Sequence, residues 1–414
     1  MANPIKHLLI ILVALMPALP ALAQDTEQEE RDLTQRIISA NDAYAKAYKA
    51  KDYPEAIRQL TGMITLLKDR KTPPGSSQDE CERIEYNTRL LLVNFYYNMA
   101  CTYSLWGKKR QAANAFRQAI DYGWKDYRHT LEDTDFDNVR TYKPFQRLTE
   151  SIRQYDHLEI LKKAAPYRKE SHDSLPKFKY MNSDTQPMKA VRAYFNTDSV
   201  AGNGDERSRI LNLMHFVHNQ VSHDGGHRPY CEFDAIDLYN YAKAARRGIN
   251  CRCMAIMLCE LYLAAGIPAR YVTCMPADPD DDDCHVICAV WSRQQKKWLW
   301  MDPTFDAYVS DDNGNLLSID EVRQRLINGL PLTLNEDANW NHQDKQTKEY
   351  YLENYMAKNL YWLECAVDNR FNTESPFHDT RVEYVNLVPT GFASKAVKGK
   401  YRTSDPEYFW QAPE

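Results

Sequence analysis

Three side chains that lie far apart in the chain have the types needed for covalent acyl chemistry: Cys251, His285 and Asp302. A cysteine thiolate attacks carbonyl carbon, an imidazole carries the proton, and a carboxylate orients the ring and steadies its cation. Cys251 stands in Gly248-Ile249-Asn250-Cys251-Arg252-Cys253-Met254-Ala255, a stretch that runs on to Gly266-Ile267-Pro268-Ala269-Arg270. Between Cys251 and Ala265 lie only apolar residues and good helix formers. Ala255, Leu258, Cys259 and Tyr262 recur at helical spacing, and Gly266 with Pro268 supplies the stop. Cys251 therefore falls in the first turn of a buried helix. There the unsatisfied backbone N–H groups and the positive end of the dipole favour a thiolate over a thiol. Cys253, two residues on, points to another face.

The histidine and the aspartate are placed by a predicted hairpin. His285-Val286-Ile287-Cys288-Ala289-Val290-Trp291 reads as a strand, Ser292 to Lys297 as a turn, and Trp298-Leu299-Trp300-Met301-Asp302 as a second strand ended by Pro303. If the turn centres on Arg293-Gln294, His285 lies directly opposite Asp302, close enough for an imidazole N–H to meet a carboxylate. Period-two alternation puts Ile287, Ala289, Trp291, Trp298 and Trp300 on the same face, which gives the pair a largely apolar surrounding. A cysteine at a helix start is by itself usually a buried structural residue. The His–Asp pair is what supplies it with a partner.

With these motifs the sequence resembles the transglutaminase-like family, a branch of the papain-like cysteine enzymes. The resemblance rests on Gly248-x-Asn250-Cys251 with Ala255 four residues on, on Gly266 to Arg270, on the His285-led strand with Trp291, and on Trp298 leading to Asp302-Pro303-Thr304. It implies that Cys251 is the nucleophile, His285 the general base and acid, and Asp302 the orienting carboxylate. It also implies that Ala269 to Cys274 is the strand preceding the histidine. A side-chain donor to the oxyanion often comes from an upstream helix in this family. Here Leu211 to Val221 offers His218 or Asn219, and Asn219 is the candidate taken. The implied activity is acyl transfer on a peptide or protein amide through a thioester. Hydrolysis, as a peptidase or amidase, is favoured because bacterial relatives are commonly hydrolytic. Protein cross-linking and a non-catalytic binding protein that keeps the fold are the alternatives.

The elements that must hold these residues imply an α+β fold: a papain-like/transglutaminase-like core, with the cysteine helix packed on an antiparallel sheet, preceded by an α-helical repeat domain. The chain has 414 residues, 43% apolar and 26% charged, which fits a folded protein of two or three domains. Its 52 basic and 57 acidic residues leave no excess positive charge to neutralise phosphates, so a nucleic-acid partner is not expected. Residues 1–23 read as a signal peptide: Lys6 precedes the apolar run Leu8 to Ala23, which closes on Ala21-Leu22-Ala23. Cleavage after Ala23 would deliver a protein with no membrane segment to the periplasm or the medium.

Residues 24–155 read as a helical domain resembling tetratricopeptide repeats. Small and large residues alternate through Asn98 to Tyr103, then Gly107 marks a turn before Ala112, Phe116 and Ala119. Tyr44 to Leu60, with Ala56, looks like a degenerate copy. A structural cap on the next domain and a groove for a protein partner are the two readings of this region. Residues 156–189 read as a linker, 190–390 as the catalytic domain and 391–414 as a C-terminal tail. Within the catalytic domain Ser318 and Glu321 form a capping box for a short helix stopped by Asn328-Gly329, and Tyr350 to Cys365 reads as an aromatic-rich helix.

No cofactor or metal is expected. Cys251-x-Cys253 and Cys284-His285 mix soft ligands without the spacing of a zinc site. Asp278 to Asp283 lacks calcium-ligand spacing and reads as a solvated loop, and Asp311 to Asn315 reads as a turn. Most of the ten cysteines are expected to be small buried residues, with Cys274 and Cys284 placed to pair across a hairpin.

Overall fold

The computed structural model describes residues 24–73, 75–170, 174–378 and 381–413, so the expected signal peptide lies outside the described residues. The chain divides into two compact units after Asp156. Among the described residues no helix is long and apolar enough to cross a membrane.

The first unit is helical, with α1 (Gln24–Lys49), α2 (Tyr53–Lys68), α3 (Gln78–Leu105), α4 (Lys109–Tyr122) and α5 (Lys143–Ile152) as its longer elements. Their ends are set locally. Asp52 accepts the Glu55 N–H at the start of α2, and Ser77 with Glu80 forms a capping box at the start of α3. Gly107, at φ +75°, makes the turn between α3 and α4 at the predicted place. Ala56, Ala100, Ala112 and Ala119 are fully buried beside Phe95 and Phe116, so small side chains admit the neighbouring helix and rings fill the gaps.

The second unit places helices on a six-stranded sheet. Four longer helices, α6 (Gln186–Phe195), α7 (Glu206–Gln220), α8 (Ala235–Ala245) and α9 (Cys251–Ala264), precede the first long strand. The strands of the main sheet are β1 (Ala269–Met275), β2 (His285–Ser292), β3 (Lys297–Met301), β6 (Trp362–Ala366), β7 (Tyr384–Leu387) and β8 (Tyr401–Thr403). A small hairpin of β4 (Asn339–Trp340) and β5 (Asp344–Lys345) stands apart from them. The sheet order is β8-β7-β6-β1-β2-β3, antiparallel except for the β8–β7 pair.

Every residue of α9 from Cys253 to Ala264 is buried, so this helix is enclosed on all sides at the centre of the unit, its one buried carboxyl group, Glu260, accepting from Ala235 N and Asn372 N. It packs on the sheet face carrying Tyr271, Val286, Cys288, Val290, Leu299 and Met301. The opposite face carries Val272, Cys274, Ile287, Ala289, Trp298 and Trp300, and is covered by α10 (Ile319–Asn328) and the helical stretch 348–359. The capping box Ser318–Glu321 and the stop at Gly329, φ +64°, are present at α10 as expected.

The β2–β3 hairpin forms, in a register two residues from the expected one. Trp291 faces Trp298, Ala289 faces Trp300, and the ladder ends where Cys288 faces Met301. The connection is a four-residue loop, 293–296, with Lys296 at φ +51°. Glu206 at the start of α7 holds that loop by accepting from Ser292 Oγ (2.5 Å), Arg293 N (2.8 Å) and Gln294 N (3.1 Å). A slip of two residues keeps every side chain on its face, so the shared surface of Ile287, Ala289, Trp298 and Trp300 survives the error.

Other boundaries move. Trp362–Ala366, expected as the end of a helix, is a strand between β1 and β7; a short apolar run buried on both faces has no period that separates the two. The segment expected as a linker contributes Leu158, Leu161 and Phe178 to the core, and the expected tail supplies β8 and the buried Phe409. All ten cysteines are free thiols, so the Cys274–Cys284 bridge is not formed. Asp311 closes its turn by accepting from the backbone of Asn313 and Asn315.

Candidate active site

Cys251 begins α9. Asn250 is the N-cap, its Oδ1 accepting the Cys253 N–H at 3.0 Å, which leaves Cys251 in the first helical position with a backbone N–H that no carbonyl of the helix can accept. Cys251 keeps partial solvent access, whereas Cys253 is fully buried. Burial pushes the Cys251 thiol up, but hydrogen bonds with His223 and His285, the His285 charge and the Val286 N–H outweigh it and bring the thiol down to about 6. Cys253 has no such partners, and burial raises its thiol.

His285 starts β2, opposite Cys274 of β1. Its Nε2 lies 2.7 Å from Asp302 Oδ2, and both side chains are sealed from solvent. The ladder has ended before Asp302, which forms an isolated bridge with Ala307 and so reaches His285 diagonally. Two further donors fix the carboxylate: Thr304 N to Oδ1 at 2.9 Å and the Tyr351 hydroxyl to Oδ2 at 2.6 Å. The Phe305 and Tyr355 rings pack against the imidazole, with centroids 5.5 and 5.2 Å away. Burial alone would lower the basicity of His285. The Asp302 charge and hydrogen bond reverse this, the Cys251 sulfur adds to it, and the ring is raised to about 10. Nδ1, the nitrogen turned from Asp302, has no hydrogen-bond partner among the described residues, and the Cys251 sulfur is near enough to the ring to raise its basicity. A thiol driven down beside an imidazole driven up is the arrangement that favours a thiolate–imidazolium pair.

Residues 193–303 match the transglutaminase-like superfamily. The matched segment contains Cys251, His285 and Asp302, and the second unit is α+β with a transglutaminase-like core. A provisionally named cysteine protease of known structure from Cytophaga hutchinsonii is 23% identical over 34% of this chain and 43% of that one, with a TM-score of 0.23. The match thus spans less than half of that protein. No curated protein is significantly similar to the chain.

Sequence reasoning missed two residues of this site. Tyr351 falls in the aromatic-rich stretch, and nothing in its spacing shows that its hydroxyl meets Asp302. The other is His223. The segment after α7 pairs with the residues before Cys251, Ile249 N to Ser222 O at 3.0 Å and Asp224 N to Ile249 O at 2.9 Å, which sets the His223 imidazole beside the Cys251 thiol. Asn219, the residue expected there, is exposed. His218, its rival, is buried and turned to Pro303 O (3.0 Å) and Asn339 Oδ1 (3.1 Å).

One mixed cluster elsewhere in the unit has ligand types. His215, Asp306 and Asp337 bring atoms within 4.8 Å of one another, but His215 Nδ1 is already bonded to Asp306 at 2.6 Å.

Proposed function

We propose that the protein is a cysteine enzyme of acyl transfer acting on peptide or protein amides, and that hydrolysis is its reaction. Cys251 Sγ attacks the amide carbonyl, the backbone N–H of Cys251 helps to hold the oxyanion, and His285 gives the departing amine the proton it took from the thiol. Water then attacks the thioester with His285 as base, and Asp302 keeps the ring oriented and its cation stable throughout. The observation that carries this reading is Cys251, a partly exposed residue at the head of a buried helix, beside an imidazole that is bonded at 2.7 Å to a sealed carboxylate.

Export is part of the proposal, supported by Lys6, the apolar run to Ala23 and its small-residue end. So is a tetratricopeptide-like character for the first unit, supported by the buried alanines 56 and 112 and the Gly107 turn, which would suit it to a protein partner or to a structural cap. Peptide incubated with the protein and a labelled primary amine separates the two fates of the thioester. Hydrolysis exceeding amine incorporation is expected; the reverse makes the protein a cross-linking enzyme, and loss of neither product in Cys251→Ala contradicts the nucleophile.

A further inference from the structure

The neutral imidazole ring carries one N–H, and the structure decides where it sits in His223. Trp340 Nε1 can only donate, and it lies 3.0 Å from His223 Nδ1. Nδ1 is therefore the acceptor, the proton is on Nε2, and Nε2–H is the donor left for the Cys251 side.

Several independent features hold the ring in this attitude. His223 N donates to Asn341 Oδ1 at 2.7 Å, and Asn341 Nδ2 donates back to His223 O at 2.9 Å, so one amide clamps both ends of the residue. Asn341 and His342 adopt left-handed backbone, φ +51° and +58°, at the tip of the β4–β5 hairpin, the geometry of a tight turn that presents Trp340 and Asn341 together. On the other side Gly248 has no room for a side chain: a Cβ there would lie 2.7 Å from Ser222 O and 2.9 Å from Asp224 N. The bare backbone is what lets the His223 segment pair so closely with the residue before Asn250.

An N–H directed at the attacking sulfur is also near the oxygen of the carbon that the sulfur attacks, because that oxygen lies two bonds away once the S–C bond has formed. We infer that His223 Nε2–H is the side-chain donor of the oxyanion hole, acting with the backbone N–H of Cys251, and that Trp340 is the positioning residue that fixes its tautomer. In the step it serves, the Cys251 sulfur pair forms the S–C bond and the carbonyl π pair moves to oxygen, where the two N–H groups hold it. The pair then returns, the bond to the leaving group breaks, and an amine leaves with the proton held by His285.

This inference rests on the nucleophile reading above, and the test keeps the two apart. Full-length protein is acetylated with p-nitrophenyl acetate, which passes through an oxyanion, and in parallel alkylated with iodoacetamide, which does not. The alkylation is measured at a pH where the thiol is fully ionised, so that a changed thiol affinity for protons does not enter. His223→Ala is expected to slow acetylation of Cys251 by roughly 10²-fold and to leave its alkylation within roughly threefold of wild type. His223→Gln, which restores an N–H at similar reach, is expected to recover roughly tenfold of the lost rate. Acetylation of His223→Ala at close to the wild-type rate overturns the inference. A proportional loss of alkylation, or a His223→Gln as slow as His223→Ala, assigns the effect to packing and overturns it too. Wild-type protein that takes no acetyl group at Cys251 removes the reading beneath it as well, a result distinct from an indifferent His223.

Discussion

Tyr351 and His285 share one atom: both reach Asp302 Oδ2, the hydroxyl at 2.6 Å and the imidazole nitrogen at 2.7 Å. The carboxylate is thus held by donors from two directions, with Thr304 N on its other oxygen. Tyr351 reaches this site from a helical stretch 49 residues beyond Asp302, outside the segment that matches the transglutaminase-like superfamily.

The sign of removing that hydroxyl follows from the geometry. Without it, Oδ2 carries more unshared negative charge, so the pull on the His285 cation strengthens and the Cys251 thiolate persists. Tyr351→Phe should lower folding stability by about 1–3 kcal/mol, the cost of a lost hydrogen bond to a buried charged group, in urea or thermal unfolding. The iodoacetamide pH profile should stay in place or move slightly to lower pH. An upward move of the thiol titration by a unit or more would show instead that Tyr351 sets the ring's position.

Asp302→Asn keeps the size of the side chain and removes its charge. His285 then loses the partner that raised it, the imidazolium no longer supports the sulfur, and the thiol titrates higher. Acyl transfer near neutral pH should fall by roughly 10²- to 10⁴-fold. Recovery of alkylation as pH is raised, with acyl transfer still slow, is the pattern that assigns the loss to proton handling.

Wild-type pH dependence has two limbs with assigned signs. Below about 6 the Cys251 sulfur is protonated, so alkylation and acyl transfer both fall as pH drops through that value. Above about 10 the His285 ring loses its proton, so acyl transfer to a poor leaving group falls while alkylation does not. A thiol rate that keeps rising to the ordinary cysteine range, about 8.5, would mean that no ion pair forms.

Gly248→Ala tests the close approach that positions His223. The added Cβ meets backbone atoms of Ser222 and Asp224, which cannot swing away like a side-chain end. Stability should drop by about 1–3 kcal/mol and acetylation of Cys251 should fall more than alkylation. Equal falls in both rates would place the damage in α9 itself.

Much of this site was legible because local rules govern it. Asn250 caps the helix that the largely apolar stretch from Met254 to Ala264, broken only by Glu260, specifies, and alternation along 285–291 fixes which side chains share a face. The hairpin register was misread because Glu206, 86 residues away from Ser292, stabilises a loop longer than the minimal turn. His223 was hidden for a related reason. It has no spacing relation to Cys251, and its partners Trp340 and Asn341 lie 117 and 118 residues downstream. Such contacts are decided by packing, and the only local trace of them is the turn chemistry of Asn341-His342.

The central claim is that Cys251 is a thiolate at neutral pH. Brief treatment with limiting iodoacetamide at neutral pH, followed by peptide mapping by mass spectrometry, tests it directly. A single label on Cys251, absent from Cys251→Ala and strongly slowed in His285→Ala, is the predicted result; a label on Cys253, or an unlabelled Cys251, contradicts the account.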